Sequence, residues 1–190
     1  MPIVGSFAGA SARAYGLGAG VLVGDFESIA TVTAGSAVAN VEFTSIPATY
    51  SHLQIRGIAR GASTTGNVDI QFNGDTATNY SRHYVYGDGS SAASFGAGTI
   101  NFIRVSTVSS SSSTASVFGG FVLDILDYSN TNKYKTARSI AGLDNNGSGE
   151  IGLRSGNWRS NSAITSIKLW TGDATNLAQY SSFALYGVRA

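Results

Sequence analysis

The chain has 190 residues, no cysteine, twelve basic residues against eleven acidic ones and a net charge of +1. That length suits one domain with a core that needs no staple, and the missing thiols exclude both a disulfide framework and a thiolate metal site. Without a clustered basic face the composition argues against a nucleic-acid binder, and no apolar run approaches the ~18 residues of a membrane-spanning helix.

Charged residues make up only 12% of the chain, about half the usual share. Gly, Ser, Thr, Ala and Asn take their place. This composition suits short strands joined by tight turns. It also suits a subunit whose surface is partly covered by neighbours, since a fully solvated monomer usually carries more charge.

Residues 1 to about 24 are small and flexible in composition, without the basic start and continuous apolar stretch of a signal peptide. Two readings stand for them: a tail without order of its own, or an arm that docks on a partner through Phe7, Tyr15 and Leu17. We take the docking arm as the expectation, with residues 25–190 forming the body.

The body reads as strands between turn clusters. Phe26 to Thr33 leads through Ala34-Gly35-Ser36 into Val38 to Thr44, which Pro47 ends because proline cannot donate to a ladder. Tyr50 to Arg60 alternates cleanly, with Leu53, Ile55, Gly57 and Ala59 on one face and His52, Gln54, Arg56 and Arg60 on the other. Asn67 to Phe72 repeats the pattern, and Asn73-Gly74-Asp75 closes it as a turn. From Thr76 to Ala97 the alternation breaks, so this stretch is expected as a long loop with a helical turn near Tyr80 to Tyr84.

Thr99 to Val108 returns to strand, and the serine run Ser109 to Ser113 is expected as an exposed tip. Val117 to Gly142 is the clearest hairpin: Phe121, Leu123 and Ile125 alternate with polar and apolar neighbours, Asp127 to Asn132 forms a polar tip, and Lys133 to Ala141 returns. Short strands follow at Gly149 to Asn157, Ala163 to Trp170 and Tyr180 to Arg189. About nine strands and no amphipathic helix predict an all-β antiparallel sandwich, with jelly-roll topology as the finer expectation.

The blocks SHLQIRGIAR, IQFNGDTATNYS, FVLDILDYSNTNKYKTARSIAGLDNNGSG and QYSSFALYGV resemble those of a group of bacteriophage virion proteins common among cyanophages and other marine phages. The resemblance covers about residues 25–190. It implies a β-sandwich virion component, oligomeric (a trimer by family habit) and without enzymatic activity or cofactor. It supplies no catalytic motif.

Among site-like patterns, Asp144 to Glu150 matches the opening of a calcium loop, yet the twelfth position is Ser155 rather than a bidentate Glu and no helices flank it. A hairpin turn is the competing reading. His52 and His83 have no second ligand at zinc spacing. His52 is expected as an exposed or hydrogen-bonded side chain, and no G-x-S-x-G elbow is present. Mid-strand Asp124 is expected to pair with a Lys or Arg across the sheet, whereas most other carboxylates sit in turns. Tyr80, His83, Tyr84 and Tyr86, with Phe95 nearby, form the candidate ligand or partner surface, since sugars stack on aromatic faces. Their competing role is packing over one end of the sandwich or at a subunit interface. Trp158 is expected in a loop and joins that surface; Trp170 is expected to cap the core.

The functional expectation is a non-enzymatic virion structural protein located in the virion. It partners other virion proteins, assembles as a homo-oligomer and inserts in no membrane. A tail-associated fibre or adhesin component, meeting host surface polysaccharide, comes first. A capsid decoration subunit is the alternative, and a carbohydrate-binding or hydrolytic domain is the third reading.

Overall fold

The computed structural model describes residues 25–64, 66–172 and 175–189. The proposed docking anchors Phe7, Tyr15 and Leu17 lie outside the described residues. Twelve strands, all paired antiparallel, account for the architecture: β1 (Phe26–Thr33), β2 (Asn40–Phe43), β3 (His52–Ala59), β4 (Asn67–Phe72), β5 (Tyr80–Gly87), β6 (Ala92–Ile100), β7 (Ile103–Thr107), β8 (Gly119–Leu126), β9 (Lys135–Asp144), β10 (Gly149–Trp158), β11 (Ile167–Thr171) and β12 (Ser182–Val188). They form an eight-stranded sheet in the order β1-β12-β3-β8-β9-β10-β5-β6 and a four-stranded sheet in the order β2-β11-β4-β7. The sandwich expectation holds. A jelly roll of eight strands in two Greek keys is not established by this unequal division.

Alternation fixes which side chains enter the core. Leu53, Ile55 and Ala59 of β3, Leu123 and Ile125 of β8, and Phe183 and Leu185 of β12 are fully enclosed. Facing them from the small sheet are Val41, Phe43, Val68, Ile70, Phe72, Ile103, Val105, Ile167 and Leu169. Each such aliphatic or aromatic side chain contributes roughly 1.5–3 kcal/mol by leaving water.

The segment expected as a long loop is instead the β5–β6 hairpin, and the helical turn near Tyr80 is absent from it. Glycine and serine had masked the alternation: Tyr80, Arg82, Tyr84 and Tyr86 fall on one face and Ser81, His83 and Val85 on the other. The stretch from Thr99 to Val108 is two strands in different sheets, since the chain leaves β6 at Ile100 and enters β7 at Ile103.

The serine run is also corrected. Ser109 is fully buried and Ser110 nearly so, because the backbone is tied to β3's end: Gly61 donates to Ser109 O at 2.8 Å and Ser111 to Ser63 O at 2.8 Å. The Arg60 guanidinium closes the loop by donating to Thr114 O and Val117 O, both at 2.8 Å, and to Ser113 O at 3.1 Å. One charged donor thus gathers three carbonyls of the loop, of which Thr114 O also accepts from Val117 N and Val117 O from Ser109 Oγ.

The β8–β9 hairpin is present, though its tip is not wholly exposed. Tyr128 turns back into the core, where its hydroxyl donates to Pro47 O. Between β9 and β10, Asn146 and Gly147 have φ of 58° and 96°, and Asn145 donates to Ser148 O at 2.6 Å. This Asn-Gly pair is a two-residue primed turn, so the hairpin reading of Asp144 to Glu150 is the one the backbone adopts.

Candidate functional site

Strand alternation splits the expected aromatic surface in two. Tyr80 and Trp158 are not at a surface at all. Tyr80 is enclosed and Trp158 is 2% exposed, because both point between the sheets from paired positions on β5 and β10. Their rings stack with centroids 6.2 Å apart, with Phe72 against Trp158 at 5.6 Å. Tyr80 Oη accepts from Phe72 N at 3.2 Å and donates toward Asp75 O at 3.1 Å. Burial pushes this phenol up to about 12. Trp158 therefore ends a strand inside the core, whereas Trp170 is only half-buried and meets Phe102 edge-on at 6.1 Å.

His83 projects from the opposite face of β5, on the outside of the large sheet. That face is ordered in cross-strand rows, because every pair of neighbouring strands from β3 to β5 keeps an unbroken antiparallel register. One row runs Gln54, Asp124, Arg138, Ser155, His83. The next runs Arg56, Val122, Ile140, Leu153, Val85. The third runs Ile58, Gly120, Gly142, Ile151, Gly87.

In the first row Asp124 lies opposite Arg138, with Oδ2 3.5 Å from Nε, and accepts from Gln54 Nε2 at 2.9 Å. The expected cross-strand pairing of Asp124 is therefore present. Beyond Arg56 at its β3 end the middle row is aliphatic and largely wet: Leu153 is 58% exposed, Ile140 52% and Val85 50%, with Ile151 of the third row at 65%. An antiparallel sheet normally turns its polar residues to water, and single exposed aliphatics are ordinary; here they adjoin one another across three strands. With Ser94 opposite Val85 at its β6 end, the row lines an open groove of about 930 Å³.

These residues were missed in sequence because β9 and β10 invert the expected pattern. Lys135, Ala137, Ser139 and Ala141 point inward, as do Gly152, Arg154, Gly156 and Trp158. The small sheet's β7 presses closely here: Ser139 Oγ donates to Val105 O at 2.6 Å, and a Cβ on Gly156 would lie 2.4 Å from Ile103. Small inward residues are the geometric requirement, and the aliphatics occupy the outer face. The signal in the sequence is the alternation of Ile151 and Leu153 with Gly152 and Arg154.

Tyr84 and Tyr86 point inward toward the lip of the sandwich, near Arg154. The Arg154 guanidinium lies 4.9 Å over the Tyr84 ring and donates to Thr107 Oγ1 at 2.8 Å and to Glu150. Arg82 is held between the rings of Phe95 and Phe102, at 5.6 and 4.6 Å. Of the five expected residues, then, two are core, one is on the outer face and two line the lip.

His52 accepts a hydrogen bond at Nδ1 from Asp127 N at 3.0 Å, in keeping with its expected hydrogen-bonded role. The oxygens of the Asp144 turn face backbone donors: Asp144 Oδ1 accepts from Gly147 N at 3.3 Å and Asn145 Oδ1 from Thr114 N at 2.8 Å. Among the described residues no three His, Asp or Glu side chains converge as a metal site would require. No helix among them is long and apolar enough to cross a membrane.

No protein-family model matches the chain, and no curated protein is similar to it.

Proposed function

We propose that this chain is a non-enzymatic structural subunit of a bacteriophage particle, a tail-associated fibre or adhesin component. In this reading it associates with further copies of itself through the outer face of the large sheet and is anchored by residues 1–24. The observation that carries the assembly reading is the exposed row Ile140, Leu153, Val85, with half-buried Val122 at one end and exposed Ile151 beside it. Covering each half-exposed aliphatic contributes on the order of 1 kcal/mol, and the flanking Asp124–Arg138 pair supplies a polar rim of both signs. The low charge content agrees with a surface shared between subunits. The phage setting draws on the sequence blocks between residues 25 and 190 that resemble virion proteins.

The deciding experiment is localisation and copy number in purified particles, by electron microscopy and quantitative mass spectrometry. A tail component is expected at the tail in a few copies per symmetry axis. Hundreds of copies on the head would move the assignment to a decoration subunit, and absence from particles would overturn the virion reading altogether.

A further inference from the structure

The outward rows of the large sheet match about one line, the boundary between β8 and β9. Four strands lie on either side of it, β1, β12, β3 and β8 against β9, β10, β5 and β6. In the third row Ile58 and Gly120 on one side answer Ile151 and Gly142 on the other, and both isoleucines are at least half exposed. In the middle row Val122 is paired with Ile140 across the line. In the first row the match is one of charge, since Asp124 stands opposite Arg138.

A half-turn about an axis along the strands at this line carries each position over its counterpart in a second copy. Asp124 of one copy then faces Arg138 of the other, and the reverse. Four charges alternate in sign beside the aliphatic row, and no like pair meets. Ile58 comes over Ile151 and Val122 over Ile140. Gly120 comes over Gly142, where the backbones lie open: an added Cβ would meet only Gly57 O at 3.9 Å at the first and nothing within 4 Å at the second. Leu153 comes over Arg56, whose guanidinium is already engaged by the rings of Phe26 and Tyr186, at 5.1 and 5.4 Å.

The position of the axis follows from charge and area. Between β9 and β10 it would lay the aliphatic row on itself but set the two Arg138 side chains beside each other. Between β8 and β9 it opposes unlike charges and overlaps all eight strands. Eight strands about 4.8 Å apart, with three outward rows about 7 Å apart, give a face on the order of 800 Å². A standard stable interface takes roughly 800 Å² from each partner.

We propose that two copies of the chain pack these faces together about that axis, as an isologous pair with strands aligned to within about 30°. This symmetry rests on the self-association reading above and adds that the pair is closed, with no face left for a third copy.

The test uses single introduced thiols, since the chain has no cysteine. Ile58→Cys and Ile151→Cys lie at exposed outer positions, and circular dichroism should show each folded. Unlike positions face each other in the pair, whereas like positions are offset by three strands, about 14 Å, before the gap between sheets is added. A short bis-maleimide is therefore expected to trap a covalent dimer from the equimolar mixture at least about tenfold more efficiently than from either variant alone. Gln54→Cys mixed with Ser155→Cys, in the first row, repeats the test at a second pair of facing positions. Sedimentation velocity of the parent should show monomer and dimer without trimer. Ile151→Cys trapped with itself as efficiently as with Ile58→Cys overturns the axis, since a line between β9 and β10 gives that product. No trapping by either mixture, from a parent that dimerises, overturns it as well. A trimer overturns the two-fold symmetry and leaves self-association standing. A chain that stays monomeric leaves the face to a different protein and overturns both.

Discussion

Trp158 Nε1 donates to the Asp75 carboxylate at 2.7 Å, joining the end of β10 to the turn after β4. Burial pushes the Asp75 carboxyl upward, but hydrogen bonds from Asn79, Trp158 and the Ala77 amide outweigh it and hold the group below its ordinary value. Because the folded value is depressed, the stability this carboxylate contributes is fully present above the unfolded value, near 3.9. It is lost as pH falls through the folded one. Trp158→Phe removes one of the three donors and should cost about 1–3 kcal/mol near neutral pH. Acid unfolding of the variant, followed by tryptophan-independent circular dichroism, should begin at a higher pH than in the parent.

Close approach of the two sheets at β10 gives a second prediction. A Cβ on Gly156 would sit 2.4–2.8 Å from three atoms of Ile103, whereas one on Gly142 would meet nothing within 4 Å. Gly156→Ala should therefore destabilise the fold by about 1–3 kcal/mol through overpacking. Gly142→Ala, on the outer face, should stay within about 0.5 kcal/mol. Denaturant midpoints of the two variants check the difference.

The sequence made the strands of β3, β4, β8 and β12 legible because each buries one apolar face, and a period of two then reports both element and orientation. Asp124 was legible for the same reason, since a charge at an outward position in mid-strand needs a cross-strand partner. β5 and β6 were not, because glycines and serines on an overhanging hairpin carry little apolar contrast. The candidate site suffered most. Tyr80, Tyr84 and Tyr86 form one surface with His83 only if the stretch is a loop; in a strand, alternation places His83 on the opposite face. Thr107 and Arg154, separated by 47 positions, meet only through inter-sheet packing that no local pattern encodes.

Lys135 gives the third prediction. It begins β9 fully buried, with Nζ donating to the carbonyls of Asn130, Lys133 (2.9 Å) and Asn161 (3.4 Å). Three donors of a compact ammonium thus close the β8–β9 loop against the segment that leads to β11. Its side chain points inward with Ala137 and Ser139. Lys135→Met should cost about 1–3 kcal/mol, since the three carbonyls lose their donor. Lys135→Arg should not restore it, because a planar fork cannot reproduce three converging bonds. Thermal unfolding of the two variants, read as loss of Tm, is the measurement.

The exposed row supplies the last prediction. Leu153 and Ile140 are paired across β10 and β9 and are each more than half exposed. Replacing either with Glu removes little from the core, so the monomer's stability should change by no more than about 0.5 kcal/mol. Association through this face should suffer far more, because the variant loses aliphatic contact and brings a carboxylate into a closing apolar surface. The expected result is that Leu153→Glu shifts the self-association midpoint by about tenfold or more in sedimentation velocity. Tyr134→Glu, at an exposed aromatic in the β8–β9 loop and off the row, should leave it unchanged. A parent chain that stays monomeric at the highest attainable concentration would remove the face from the assembly reading. Equal weakening by both substitutions would mean a general charge effect instead of contact through the row.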